Sequence, residues 1–203
     1  MVLETYYQKN IMEVGVDEVG RNCMFGPVYA AAVYWDPEIT SSLIRDSKKL
    51  SKRKREIASD FIKENCIAYG IAECSNVVVD KINILNASIK AMHKAISATN
   101  IDPEHIVVDG NKFKFYMNKD GDPVSHTCVI KGDDKYYSIA AASILAKVGR
   151  DSYIKKLCDD DPLLEKYGLR DNVGYGSQLH MDAIKQYGIT PYHRRTFGIC
   201  KDY

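Results

Sequence analysis

Two short stretches concentrate the residue types that can do chemistry: Val14-Gly15-Val16-Asp17-Glu18-Val19-Gly20-Arg21-Asn22 and Ile106-Val107-Val108-Asp109-Gly110. Each is an apolar run that ends in a carboxylate and then reaches a glycine. Taken singly, either reads as a strand-terminating turn with a solvated acid. Taken together, they offer a way to hold two carboxylates at one edge of a sheet. Adjacent strands lie roughly 4.8 Å apart, so Asp17 and Asp109 on neighbouring strands would both touch one cation or a pair of cations. Hard divalent cations take oxygen ligands and bridge to phosphate oxygens, so the chemistry on offer is that of phosphate esters. Glu18 adds a difficulty, because successive residues of a regular strand face opposite sides. For Asp17 and Glu18 to share a site, the spacing predicts irregular backbone over residues 18–20, where Val19-Gly20 permits a break. A strand running straight through Val19 would argue against sharing.

A further acid must come from later in the chain. Asp133, Asp134 and Asp151 are the candidates. Asp151 falls about thirteen residues into a long helical segment, roughly 20 Å from its start. It therefore cannot serve the same place as Asp133, and an i,i+4 pair with Lys147 suits it better. Asp133 follows a short strand and precedes the helix, as a strand-end ligand should. Asp134 fits an acid favoured by the helix dipole.

The elements that must position these acids read as strands, then alternating strands and helices. Residues 13–17 and 28–35 form strands. A loop at 47–50 follows, then a helix over 52–65 capped by Ser51, with Ile57, Phe61 and Ile62 as its inner stripe. Residues 67–72 form a strand. Residues 76–98 form a helix with Ile82, Leu85, Ile89, Met92 and Ile96 facing the core. The run 106–109 is apolar throughout, as for a buried parallel strand. Residues 111–126 read as a hairpin or extended loop around Asp120-Gly121, and 127–130 as a strand. A long helix over 138–157 begins with alanines that let it lie close to a sheet. A shorter helix over 178–187 stops at Gly188. The order argues an α/β layered fold with a mixed sheet.

The chain has 203 residues, is 45% hydrophobic and carries a net charge of +1. That suits a single domain over 1–203 with a real core. The start lacks the basic and apolar pattern of a signal peptide, and no apolar run approaches the roughly 20 residues of a membrane helix. Six cysteines at irregular spacing, none in C-x-x-C, argue against a zinc site or a disulfide framework. Free thiols point to a reducing, cytoplasmic location. Residues 45–55 are locally basic, with Arg45, Lys48, Lys49, Lys52, Arg53, Lys54 and Arg55 against Asp46. A basic patch on a near-neutral protein suits a polyanion gripped at one face.

In motif and order the chain resembles the ribonuclease HII family, the type 2 RNase H enzymes. Asp17-Glu18-Val19-Gly20-Arg21 resembles the family's D-E-x-G-R-G opening, and Gly26-Pro27-Val28 with its alanines resembles the second strand. Asp46-Ser47-Lys48-Lys49-Leu50, Val108-Asp109-Gly110-Asn111, Lys131-Gly132-Asp133 and the S-I-A-A-A-S-I-L-A-K-V-G-R-D run from Ser138 to Asp151 follow in family order. Gly174-Tyr175-Gly176 with His180, and His193-Arg194-Arg195-Thr196-Phe197, complete the match.

The resemblance implies an RNase H-like fold, a five-stranded mixed sheet flanked by helices with a helical C-terminal portion. It implies endonucleolytic cleavage of RNA in RNA–DNA hybrids and at ribonucleotides embedded in duplex DNA, leaving 5′-phosphate and 3′-hydroxyl ends. Asp17, Glu18, Asp109 and Asp133 would be the catalytic acids, holding two Mg2+ or Mn2+ ions. Gly20, Arg21 and Asn22 would read the ribose 2′-hydroxyl, and Tyr175 would stack on the sugar beside it. Ser47, Lys48, Lys49, Lys147, Arg194 and Arg195 are further substrate contacts to expect, the basic ones on phosphates. His180 and His193 read as structural hydrogen-bonders. The expected partners are nucleic acids, not a membrane, and the protein is expected to be a monomer. Asn22 departs from the family's glycine, and Ser177 from its usual threonine. The alternatives are a hybrid-binding protein disabled by Asn22, or an RNase H-like nuclease with altered specificity.

Overall fold

A computed structural model describes residues 3–203; Met1 and Val2, which begin the segment read as lacking a signal peptide, lie outside it. In chain order the elements are β1 (Glu13–Val19), β2 (Val28–Tyr34), α1 (Lys52–Asn65), β3 (Ala68–Cys74), α2 (Asn76–Ala98), β4 (His105–Asp109), β5 (Tyr116–Met117), β6 (Pro123–Val129), α3 (Tyr137–Asp160), α4 (Leu169–Asn172) and α5 (Gln178–Tyr187). The strands form one sheet in the order β3-β2-β1-β4-β6-β5. β1 runs antiparallel to β2 and parallel to β4, and β4 is parallel to β6, so the sheet is mixed as expected.

Among the described residues there are six strands rather than five. The extra one is the two-residue β5, which folds back on β6. Its turn is held by Asn118, whose side-chain oxygen accepts from the N–H groups of Asp120 and Asp122. The hairpin expected around Asp120-Gly121 is therefore real, but it contributes a short outer strand.

Strand alternation sorts the core onto two faces. Val14, Val16, Ile106 and Val108 pack with Ala87, Ala91, Met92 and Ile96 of α2. The other face packs Ala31 and Val33 against Ala140–Ala142, Ile144 and Leu145 of α3, with Ala58 and Ile62 of α1 outside them. Small residues allow the close approach of α3. A Cβ on Gly15 would lie 2.4 Å from Ser138 Oγ. The C-terminal helices gather on the far half of α3 around Phe25, Ile154, Leu164, Tyr167 and Ile184.

Capping fixes helix ends where the sequence placed them. Ser51 Oγ accepts from Lys54 N, and Ser177 Oγ from His180 N. Three readings need correction. Ile57 is 48% exposed and Phe61 only half-buried; α1 buries Ile62 as expected, together with Ala58 and Ser59. α2 is kinked at Asn83, whose backbone is left-handed and whose Oδ1 accepts from Asn86 N, re-capping the second half. Ile82 and Leu85 beside the kink are only half-buried, whereas Ile89, Met92 and Ile96 beyond it are core. Residues 47–49, read as loop, form a 3-10 turn capped by the Asp46 carboxylate. All six cysteines are free. Among the described residues no helix is long and apolar enough to cross a membrane.

Candidate active site

β1 and β4 pair in register from Glu13↔His105 to Val16↔Val108. Asp17 and Asp109 are the next residues on each strand. Both therefore project to the face opposite Val16 and Val108, where α3 lies, and Ser143 of α3 adjoins Asp17. The expected break over residues 18–20 does not occur where it was placed. β1 stays regular through Val19, which still pairs with Tyr29 of β2. The backbone leaves extended geometry only at Gly20, where φ is +90°. Asp17 and Glu18 nevertheless line one cavity with Asp109. The reason lies in β4, which stops at Asp109 and turns away at Gly110 (φ +101°). Past Val16 the β4 side of β1 is open, so both faces of its last residues reach the same space.

That cavity, about 300 Å³, also receives Ser47, Lys48, Lys147 and Tyr175, together with the Gly20-Arg21-Asn22 turn. Besides the apolar Val19, sequence reasoning missed two lining residues, Arg55 and Ser143. Arg55 belongs to the basic run already noted, and its guanidinium donates to the carbonyls of Ser47 and Leu50, holding the lysine-bearing turn. Ser143 hydrogen-bonds Ser47 at 2.9 Å. Its signal was the serine one helical turn before Lys147.

The acids repel one another. Burial, then the charges of Glu18 and Asp109, push the Asp17 carboxyl well above its ordinary range. Burial also raises Glu18, with Arg21 pulling it back down through a 3.0 Å ion pair. Asp109 is raised by burial, against the Gly132 N–H that donates to its Oδ1 at 2.7 Å, with Asp133 adding repulsion. Asp133 does not line the cavity. It is buried behind it in a 3-10 turn after Lys131, where Lys48 Nζ reaches its Oδ2 at 3.3 Å. Asp134 pairs with Lys49, which also contacts Asp46 and so faces away from the cavity. Lys147 makes the expected pair with Asp151 at 2.8 Å and lies 5.8 Å from the Tyr175 ring centroid.

Among the described residues no three His, Cys, Asp or Glu side chains close into a metal cage. Each acid has another partner: Asp17 has Glu18 N–H, Glu18 has Arg21, Asp109 has Gly132 N–H, and Asp133 has Lys48. The donor set nonetheless suits a hard divalent cation, being all carboxylate oxygen. The Lys48 ammonium, attracted by Asp133, Asp46 and Asp17, already occupies the position of a counter-charge.

Besides Lys49, two more expected phosphate contacts lie outside the cavity, Arg194 and Arg195. Arg194 is completely buried, donating to the carbonyls of Gly26 (2.9 Å) and Arg21 (3.1 Å). Arg195 is exposed but outside the cavity, its backbone N–H on Asp80 and its guanidinium near the Tyr203 carbonyl. His180 and His193 are structural, as expected. Their Nε2 atoms lie 3.0 Å apart, His180 Nδ1 reaches the Tyr175 carbonyl, and His193 Nδ1 accepts from Thr190 N. This chain of partners assigns both rings as neutral. Burial and the neighbouring His180 hold His193 at about 4. Below its unfolded value of about 6.5 the unfolded chain binds the proton first, so stability falls as pH drops. The expected result is a loss of about 2 kcal/mol between pH 6.5 and 4.5 in urea unfolding, largely absent in His193→Gln.

Solved structures that share this fold include RNase H-type enzymes. Ribonuclease H2 from Pyrococcus horikoshii OT3 superposes with a TM-score of 0.74 at 27% identity, covering 94% of this chain and 95% of that one. Bst-RNase HIII in complex with Mn2+ shares the fold at a TM-score of 0.70 and 20% identity, covering 94% of this chain and 68% of that one. Residues 14–200 match the family model described as Ribonuclease HII. The Ribonuclease HII of Christiangramia forsetii is 45% identical over 197 residues, 97% of this chain and 96% of its own length. The chain belongs to the ribonuclease HII family, and with it to the endonucleases that hydrolyse RNA in RNA–DNA hybrids.

Proposed function

We propose that this enzyme cleaves at ribonucleotides embedded in duplex DNA as well as within longer hybrids, by a two-metal hydrolysis that leaves 5′-phosphate and 3′-hydroxyl ends. The observation that carries this reading is the cavity shared by Asp17, Glu18, Asp109, the Gly20–Asn22 turn and Tyr175. Acids for metal and groups for ribose line one cavity. When bound, Mg2+ or Mn2+ would supply an activated water and stabilise the charge on the leaving 3′ oxygen. Asp17, Glu18 and Asp109 would hold the ions, with Asp133 joining as Lys48 gives way.

Lys48 and Lys147 place ammonium groups at the rim, where they orient the strand through its phosphates. The Gly20–Asn22 backbone faces the sugar, and the 2′-hydroxyl is the group by which RNA differs locally from DNA. The Tyr175 ring, 40% exposed, offers a flat surface to the neighbouring sugar. Asn22 is exposed and is not among the residues with positive φ, so the turn's backbone does not call for glycine there. Six free cysteines suit a reducing compartment such as the cytoplasm.

The test compares three duplexes with Mg2+ or Mn2+: DNA with one ribonucleotide, an RNA–DNA hybrid, and DNA alone. Cutting of both ribonucleotide-bearing duplexes and not of DNA is expected. Cutting of the hybrid alone would remove the embedded-ribonucleotide activity, and cutting of DNA would remove the ribose-reading role.

A further inference from the structure

The Gly20–Asn22 turn and the Tyr175 turn meet on one side chain outside the cavity, Arg150 of α3. It is fully buried, and its guanidinium donates to three backbone carbonyls: Pro27 at 3.1 Å, Phe25 at 2.9 Å and Val173 at 2.8 Å. The first two close the loop that begins at Gly20. The third lies two residues before Tyr175. Glycines on both loops make room for this group. A Cβ on Gly20 would lie 2.3 Å from Arg150 Nε, and one on Gly174 would meet Phe25 O at 2.8 Å and Arg150 at 3.4 Å.

Val173 itself is held in the left-handed region at φ 42°, ψ 35°, where a β-branched residue is strained. Such strain persists only where the surroundings over-determine it. Here they are Arg150 on its carbonyl, Leu169 O on its N–H, and Asn172 Oδ1 on the N–H of Gly174. Beneath the two turns lies Cys23, fully buried, its thiol beside the Tyr175 hydroxyl.

We infer that Arg150 is a positioning residue that locks the ribose-facing turn and the tyrosine turn into one rigid reader of the substrate sugar. The assignment of those turns to the sugar rests on the function proposed above; the locking itself does not. Arg194 holds the Gly20 loop from the other side without touching the tyrosine turn, so Arg150 alone of the two bridges them.

Two variants test this. Arg150→Lys keeps the charge and loses the fork, and Gly174→Ala wedges a methyl between the turns while leaving Arg150 in place. Accessibility is read by N-ethylmaleimide labelling of Cys23, located by mass spectrometry, with buried Cys158 and Cys200 as internal controls. In both variants Cys23 is expected to label about tenfold faster, with the controls unchanged, because only the local unit opens. Cleavage of the single-ribonucleotide duplex is expected to lose about 30-fold in kcat from misplacement alone, with the Mg2+ activation midpoint unmoved. Combining Arg150→Lys with Tyr175→Ala is expected to cost less than the product of the two single losses, since coupled residues are not additive.

Should Arg150→Lys expose all three cysteines together, it has unfolded and Gly174→Ala decides. Unchanged Cys23 protection in the folded variants, or losses that multiply with Tyr175→Ala, would overturn the inference. If Cys23 opens as expected but Tyr175→Ala cleaves normally, the locking stands and the tyrosine's role at the sugar falls.

Discussion

Asp109→Asn is expected to reduce cleavage of either ribonucleotide-bearing duplex by about a thousandfold or more, roughly 4 kcal/mol of barrier. The same change should leave the melting temperature of the metal-free protein unchanged or higher. The two expectations share one cause. Asp109 is raised above the ordinary carboxylate range chiefly by burial, with Gly132 N–H opposing and Asp133 reinforcing the shift. As pH rises past the unfolded value near 3.8, the unfolded chain releases its proton first, so the folded state loses stability up to the raised value and does not recover it at neutral pH. An amide removes that cost and can still accept the Gly132 N–H through its Oδ1, a bond now 2.7 Å long. What it cannot supply is anionic charge to a divalent cation. Activity and melting curves of the purified variant check both halves. Retained turnover would remove Asp109 from the ligand set, and a large drop in melting temperature would show that its role is structural.

Gly15→Ala is expected to destabilise the fold by roughly 3 kcal/mol, as for overpacking of a dense core. A Cβ there would lie 2.4 Å from Ser138 Oγ and 2.5 Å from the Ser138 carbonyl carbon. Backbone cannot swing aside as a long side chain does, so the start of α3 must lift from β1. The effect should also reach chemistry, because α3 carries Ser143 and Lys147 into the cavity. Urea unfolding measures the first effect, and kcat on the hybrid the second. A control, Gly121→Ala, meets nothing within 4 Å and lies in the β5–β6 turn, so its cost should be confined to its left-handed backbone, about 1 kcal/mol. Equal losses in the two variants would rule out close packing as the cause.

Local chemistry made much of this molecule readable beforehand. Ser51 caps the helix it was expected to begin, Gly188 ends α5, and the apolar run of β4 lies between two parallel neighbours. Capping and alternation involve residues a few positions apart, so the sequence carries them in full. Asp17 and Asp109 were legible for the same reason, each being the acid at the end of its own strand.

The failures are of another kind. Glu18 reaches the cavity because β4 ends early, not because β1 breaks, and that depends on a strand some ninety residues away. Arg194 looked like a surface cation and became a buried donor to loop carbonyls, while Arg150, unremarked in sequence, bridges two turns. A guanidinium's destination is set by which carbonyls the fold leaves unpaired near it, and no local pattern encodes that.

By itself, the sequence determined the strand-end acids, the places of the longer helices, the layered α/β architecture and the family. Only the tertiary structure decided which acids share a space, that Asp133 stands behind Lys48, and which arginines face solvent. Pairings across long stretches of chain are settled by burial and hydrogen-bond satisfaction in the assembled fold, where desolvation, rather than residue type, determines the role each charge can take.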